Sequence, residues 1–263
     1  MKKHVALLVE YLVQFIKVRF AYRADSLISV GASMLATAFA FGFLIVLFQK
    51  VPRLAGWKFE EVLFLYGFSL IPFGLFNIVS LNLYNFGNDF IIEGKFDRVL
   101  LRPVASLYQV MFEVFRIESL HEVVMGLLAV WLAVTRLKLA WGLLDLALLA
   151  FFALCGGVIY VAIFLMLTCV NFWVEDRVGV HPPVWNLIAF GRYPLTIYSG
   201  FVQFLLSWII PFGFAAFYPS VRLLGRPEFR VHAWLVPVVA AAFLTMAIAL
   251  WNRGVREYSS TGS

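Results

Sequence analysis

The sequence predicts an all-α integral membrane protein. It has an N-terminal interfacial helix, six transmembrane helices, a cytoplasmic helix after the second span, and a re-entrant element before the last. Three observations carry this. Of 263 residues, 63% are hydrophobic and 14% charged, against about 45–50% and about 25% in soluble domains. A soluble chain of this length has too little interior to hide so much apolar surface. Long uncharged runs recur, beginning with the twenty-two residues Leu27–Phe48, enough to cross ~30 Å of hydrocarbon. Aromatic residues make up 17% of the chain, and such rings favour the lipid–water boundary.

Along residues 5–22, Lys3, Glu10, Gln14 and Lys17 mark one narrow polar stripe at helical spacing. A helix over residues 1–25 lying in the interface fits this, with Arg19 and Arg23 near lipid phosphates. The opening Met-Lys-Lys resembles the basic end of a signal peptide. Glu10, Gln14, Lys17 and Arg19 interrupt the apolar core such a peptide needs, so retention is expected. In the first span Ala32, Ala36 and Ala40 repeat every fourth residue, a face that lets another helix approach closely. The second span runs from Val62 to about Leu83, with Pro72 expected to kink it. Asn77, Asn82 and Asn85 are costly against lipid and should face protein or a cavity.

Gly87–Pro103 is the most polar stretch. Asp89, Glu93, Lys95, Asp97, Arg98 and Arg102 alternate with Phe96, Val99, Leu100 and Leu101. It is too short for a domain and too amphipathic for a plain loop. A short cytoplasmic helix with Phe96, Leu100 and Leu101 exposed is expected, and it suits contact with a partner. The third span ends near Thr135, which places Glu118, His121 and Glu122 inside it on one face. That face looks toward other helices, either for structure and gating or for direct contact with a passing molecule or proton.

The fourth run, Leu143–Val174, would be about 48 Å long as one helix, and Cys155-Gly156-Gly157 offers a kink. A loop with His181, Pro182 and Pro183 leads to Arg192. The fifth region, Pro194–Pro219, is broken by Pro211 and Gly213, so its last part is expected to re-enter, which requires burial in protein. The sixth span is Ala233–Trp251, and residues 253–263 form a polar tail. The chain is thus one membrane domain, residues 26–252 being its six-helix body.

With both ends cytoplasmic, twelve of the 21 Lys and Arg lie inside and eight outside, with Arg116 at a boundary. The bias has the sign that topology requires. The net charge of +6 therefore speaks for anionic lipid and orientation, not nucleic acid. Cys155 and Cys169 share an apolar run and do not look like an exposed disulfide. No phosphate-cradling G-x-x-x-x-G-K-[ST] is present, so nucleotide chemistry must come from another polypeptide. His121-Glu122 opens like a zinc-protease motif, but Met125 stands where the second histidine belongs. No catalytic, metal or cofactor site is expected on this chain.

The order of these elements resembles the permease subunits of type-2 ATP-binding-cassette exporters, in the branch described as ABC-2 family transporter proteins. The resemblance is carried by Phe96-Asp97-Arg98-Val99-Leu100-Leu101-Arg102-Pro103, by Arg192-Tyr193-Pro194-Leu195-Thr196-Ile197-Tyr198, and by the closing Tyr258-Ser259-Ser260-Thr261-Gly262-Ser263. Phe217-Tyr218-Pro219 and Leu223-Leu224-Gly225 add to it.

It implies a multi-pass half-transporter of a bacterial plasma membrane. A second permease chain, identical or related, would complete the pathway, and soluble ATPase subunits holding ATP and magnesium would dock beneath. By that likeness Glu93, Lys95, Phe96, Asp97, Arg98, Leu100, Leu101 and Arg102 form the coupling helix, and residues 175–181 a smaller second contact. Residues 218–225 would be the external re-entrant element, and Asn77, Glu118, His121 and Glu122 candidate gating or pathway groups. Export of amphipathic drugs or antibiotics is the expectation for cargo. The rival readings are a membrane-embedded lipid-modifying enzyme using His121 and Glu122, and an ion-coupled secondary transporter.

Overall fold

The computed structural model describes residues 23–174 and 181–259, and for 23–26, 80 and 81 the backbone alone. Residues 1–22 of the interfacial helix expected over residues 1–25, most of the expected second contact, and the last four residues lie outside this range; residues 23–25 belong to the first long helix. Among the described residues, five helices are long and apolar enough to cross a membrane, and one bent pair would make a sixth.

The described chain is helical, with no named strand. Helix α1 is Arg23–Lys50 and α2 is Phe59–Phe86. The short α3, Lys95–Leu100, and α4, Ser106–Phe112, follow a π-turn at Gly87–Ile92. Next come α5, Leu120–Leu137, and α6, Leu143–Cys169. Helix α7 is His181–Gly191, α8 is Gly200–Phe204, α9 is Phe212–Ala215 and α10 is Phe217–Leu223. The last helix, α11, is Arg230–Glu257.

Helix α2 is the hub, with α5 on one side and α6 on another; α11 packs against α6. Small residues set the α2–α5 approach. A methyl group on Gly67 would sit 2.6 Å from the Ala129 Cβ and 3.0 Å from the Gly126 carbonyl oxygen. Backbones this close are how membrane helices gain packing that lipid cannot supply. Pro72 lies within the unbroken α2. Helix α6 likewise runs unbroken through Cys155-Gly156-Gly157, the point where the sequence offers a kink. A Cβ on Gly156 would lie 2.6 Å from the Ala215 carbonyl oxygen and 2.9 Å from the Pro72 Cβ. These glycines therefore close the gap between α6, α2 and α9.

Polar groups fix the helix starts. The Lys58 amide donates to Glu61 (2.8 Å) at the head of α2, and the Gly142 amide to Asp145 (3.0 Å) at the head of α6. Both satisfy donors that a helix start leaves unpaired. The segment 181–191, expected as a loop, is helical. Pro182 and Pro183 occupy its first turn, where no amide hydrogen is needed. The break expected at Pro211 is observed: residues 200–209 and 212–223 meet at a bend of 72°. After the break, Phe212, Phe214, Phe217, Tyr218, Val221 and Leu223 are buried, as irregular backbone at membrane depth demands.

The two ends of the bundle are held differently. At the Trp57 end, the Arg226 guanidinium stacks 4.0 Å from the Trp57 ring centroid and pairs with Glu61 (3.1 Å) and Glu228 (3.0 Å). The Trp57 indole donates to Thr196 (3.0 Å). At the other end the fastening is aromatic, and the polar helix α3 lies there.

Candidate functional site

Two constellations stand out: the seat of α3, and a polar cavity within the bundle. Gly94 precedes α3 with φ +67, a left-handed turn that favours glycine and lets the chain leave the π-turn sharply. Phe96 and Val99, three residues apart, share one face of α3 and are buried; Phe96 is 0% exposed. This corrects the expectation that Phe96 faces outward. A six-residue helix has room for one inward face, and Phe96 occupies it.

Phe86, Phe172, Trp251 and Tyr258 surround the Phe96 ring at centroid distances of 5.0–5.9 Å, each near edge-on. These rings come from the end of α2, the turn after α6, the last turns of α11 and the residue just after it. The backbone around α3 is tied as well. Gln109 of α4 donates to the Val99 carbonyl (3.0 Å) and the Val104 carbonyl (2.8 Å). The Trp251 indole donates to Ser106 (3.2 Å). Asp97 accepts a hydrogen bond from the Tyr258 hydroxyl (3.1 Å).

The outward side is left to the remaining residues. Lys95 pairs with Glu93 at 2.9 Å on the surface. Arg98 and Arg102 are exposed, Leu100 is 43% exposed and Leu101 85%. The sequence-selected residues thus divide into an inner foot, Phe96 with Asp97, and an outer face of Glu93, Lys95, Arg98, Leu100, Leu101 and Arg102. Of the second predicted contact only His181 is described, and it is buried. Its Nε2 lies 3.1 Å from the Thr168 hydroxyl, and its ring stacks on Phe164.

The second constellation lies where α1, α2, the start of α5 and α7 meet. Ser33, Phe73, Asn77, Arg116, Glu118, Ser119, His121, Glu122, Trp185 and Arg192 line a cavity of about 190 Å³. All four predicted pathway residues are therefore brought to one place. Asn77 is buried and donates to the Glu122 carboxylate (2.9 Å). His121 Nδ1 lies 2.7 Å from the Glu118 carbonyl oxygen. Asn82 is buried too, donating to the Val110 carbonyl (2.8 Å), but Asn85 is exposed at the end of α2, contrary to expectation.

Sequence reasoning missed Arg116, Arg192, Phe73 and Trp185 as cavity residues. The Arg192 guanidinium lies 4.9 Å from the Phe73 ring centroid and 5.7 Å from that of Tyr66, and donates to the Tyr66 hydroxyl (3.3 Å). Its Nε is buried with no hydrogen-bond partner among the described residues. An arginine between two apolar runs was a readable signal; that it reaches the cavity depends on α7, which the sequence did not announce. The cavity offers cations, carboxylates, an imidazole and two aromatic walls. That mixture can hold water or a polar head while the rings receive an apolar body.

The family model described as ABC-2 family transporter protein matches residues 34–262. The chain belongs to that family. It is a multi-pass transmembrane component of an ABC transporter, of a kind that is generally non-enzymatic and associates with ABC ATPase partners. Comparison with curated proteins and with solved structures finds no significant match.

Proposed function

We propose that this ABC-2 family chain is half of an ATP-driven exporter in a bacterial plasma membrane, with both termini cytoplasmic. It pairs with a second permease chain, identical or related, over soluble ATPase subunits that carry ATP and magnesium. The observation that carries this reading is the division of α3. Its Phe96 foot sits among three helix ends, and its Leu100–Leu101 face is left uncovered by the described residues. A rigid piece gripped by α2, α6 and α11 passes a push on its outer face to three spans together.

In this reading the cavity around Asn77, Glu122 and Arg192 belongs to the pathway. Its mixed polar and aromatic walls fit amphipathic small molecules such as drugs or antibiotics. Charged groups at membrane depth are expensive unless partnered or working, which favours a role in gating or cargo contact.

The test is purification in mild detergent from a host supplying its ATPases, followed by mass spectrometry of what remains bound. Recovery of an ATP-binding-cassette ATPase in simple ratio is the expected result. Leu100→Ala combined with Leu101→Ala should cut that recovery roughly tenfold or more, because truncating two anchors that docking would bury removes about 1.4 kcal/mol or more of binding. Recovery of the stable chain alone, even after gentle crosslinking, would overturn the reading. It would return the lipid-enzyme and secondary-transporter alternatives, with Glu118, His121 and Glu122 as the residues to mutate.

A further inference from the structure

The geometry points to Tyr258 as a positioning residue for the coupling helix: its phenol holds Asp97, so that α3 and the end of α11 move as one piece. This rests on the reading of α3 as the ATPase contact, and adds a component that the reading does not require.

The grip has two points. Trp251 and Tyr258 lie seven residues apart at the end of α11, about 10 Å along a helix. Trp251 donates to Ser106, just beyond the coupling segment. Tyr258 donates to Asp97, within it, at 3.1 Å. Between these two hydrogen bonds the Phe96 ring meets both aromatic rings, at 5.9 Å and 5.0 Å. Ring packing alone is tolerant of sliding and rotation. The phenol–carboxylate bond is directional, and a hydrogen bond to a charged group is among the stronger ones. It fixes the rotation of α3 and hence the direction in which Leu100 and Leu101 face. Burial, and then the bond to Asp97, push the Tyr258 hydroxyl up to about 12. It therefore stays protonated and able to donate throughout the physiological range. The raised value means that the clamp is intact below the ordinary phenol range near 10 and is lost as pH rises through about 12.

Tyr258→Phe keeps the ring and removes only the donor, so it separates positioning from packing. Amide hydrogen exchange on the full chain in detergent would be read peptide by peptide, alongside the affinity of the purified ATPase for the same samples. In Tyr258→Phe, amides within residues 95–102 should exchange roughly tenfold faster, the factor expected for one charge-assisted hydrogen bond, while α5 and α6 keep wild-type protection. ATPase affinity should fall several-fold, because a mobile docking element costs ordering on binding. The double variant with Asp97→Ala should exchange no faster than Asp97→Ala alone. Exchange in residues 95–102 within about twofold of wild type would overturn the clamp. So would acceleration spread evenly over all helices, which marks general loosening. Failure of the wild-type chain to bind any ATPase would instead count against the coupling reading, and the exchange result would still decide the clamp.

Discussion

Helices α1 and α2 are the same length, 28 residues each, and both are apolar enough to span a bilayer, yet their surroundings are opposite. Of the most apolar stretch of α1, 6% is buried in the chain; of α2, 83%. Apolarity decides only that a segment enters the membrane. In lipid an exposed leucine costs nothing, so burial follows from shape and from polar groups. Helix α2 has both: Gly67 and Gly74 against α5, and Asn77 and Asn82 seeking partners. Helix α1 carries Gly31 and Gly42 with no described neighbour close to either; Ala32 and Ala36 are exposed and Ala40 alone of that small-residue face packs partly against the core, so among the described residues most of the face is unused.

One substitution made in both helices tests this most strongly. Gly67→Ala forces its new methyl into Ala129 and the α5 backbone, and should destabilise the protein by about 1–3 kcal/mol. Gly31→Ala meets nothing among the described residues and gains helix propensity, so it should be neutral or stabilising by up to about 1 kcal/mol. Thermal unfolding in one detergent reads both. Equal losses would break the comparison. A loss for Gly31→Ala confined to the assembled transporter would sharpen it, by placing a second chain on α1.

A smaller effect is expected from polar substitutions. Asn77→Leu leaves the Glu122 carboxylate without its amide donor, and should cost about 2 kcal/mol. Thr37→Val in α1 removes only a hydroxyl bonded to the Ser33 carbonyl within its own helix, a change of about 0.5 kcal/mol or less. Smaller still is the fastening of the α2 start. Arg226→Ala removes a part-exposed ion pair with Glu61 and a contact with Trp57, together about 1 kcal/mol. Acid should act on the same corner. Arg226 holds the Glu228 carboxyl below its usual range, chiefly through their hydrogen bond. The stabilisation is thus full above the ordinary carboxylate range and lost as pH falls through the depressed value. Glu228 is 53% exposed, so the shift in unfolding temperature should be the smallest of all, and absent in Arg226→Ala.

The spans were legible because twenty apolar residues have one use. The break at Pro211 was legible too, since neither Pro211 nor Gly213 supports an unbroken helix there. What could not be read was rotation. In Gly87–Pro103 the alternation of charge and apolar side chains is nearly the same whichever way α3 turns. It takes partners distant in the sequence, Phe172 and above all Trp251 and Tyr258, to settle that Phe96 goes in and Leu101 goes out. The cavity was half legible. Glu118, His121 and Glu122 announce themselves by cost, and Asn77 by its place in a span. Arg192 and Trp185 needed α7, whose paired prolines read as a loop when they in fact open a helix.

The Phe96 socket also imposes an order on biosynthesis. Phe86 emerges from the ribosome before Phe96, Phe172 follows 76 residues after Phe96, and Trp251 and Tyr258 come later still. Until α11 has been threaded into the bilayer, α3 has a foot and no complete seat. A chain stopped short of residue 251 lacks the rings and the two hydrogen bonds that settle α3. The outer face of α3 is therefore settled only after α11 has been made, so that in the proposed coupling reading a nascent subunit would not capture an engine it could not yet use.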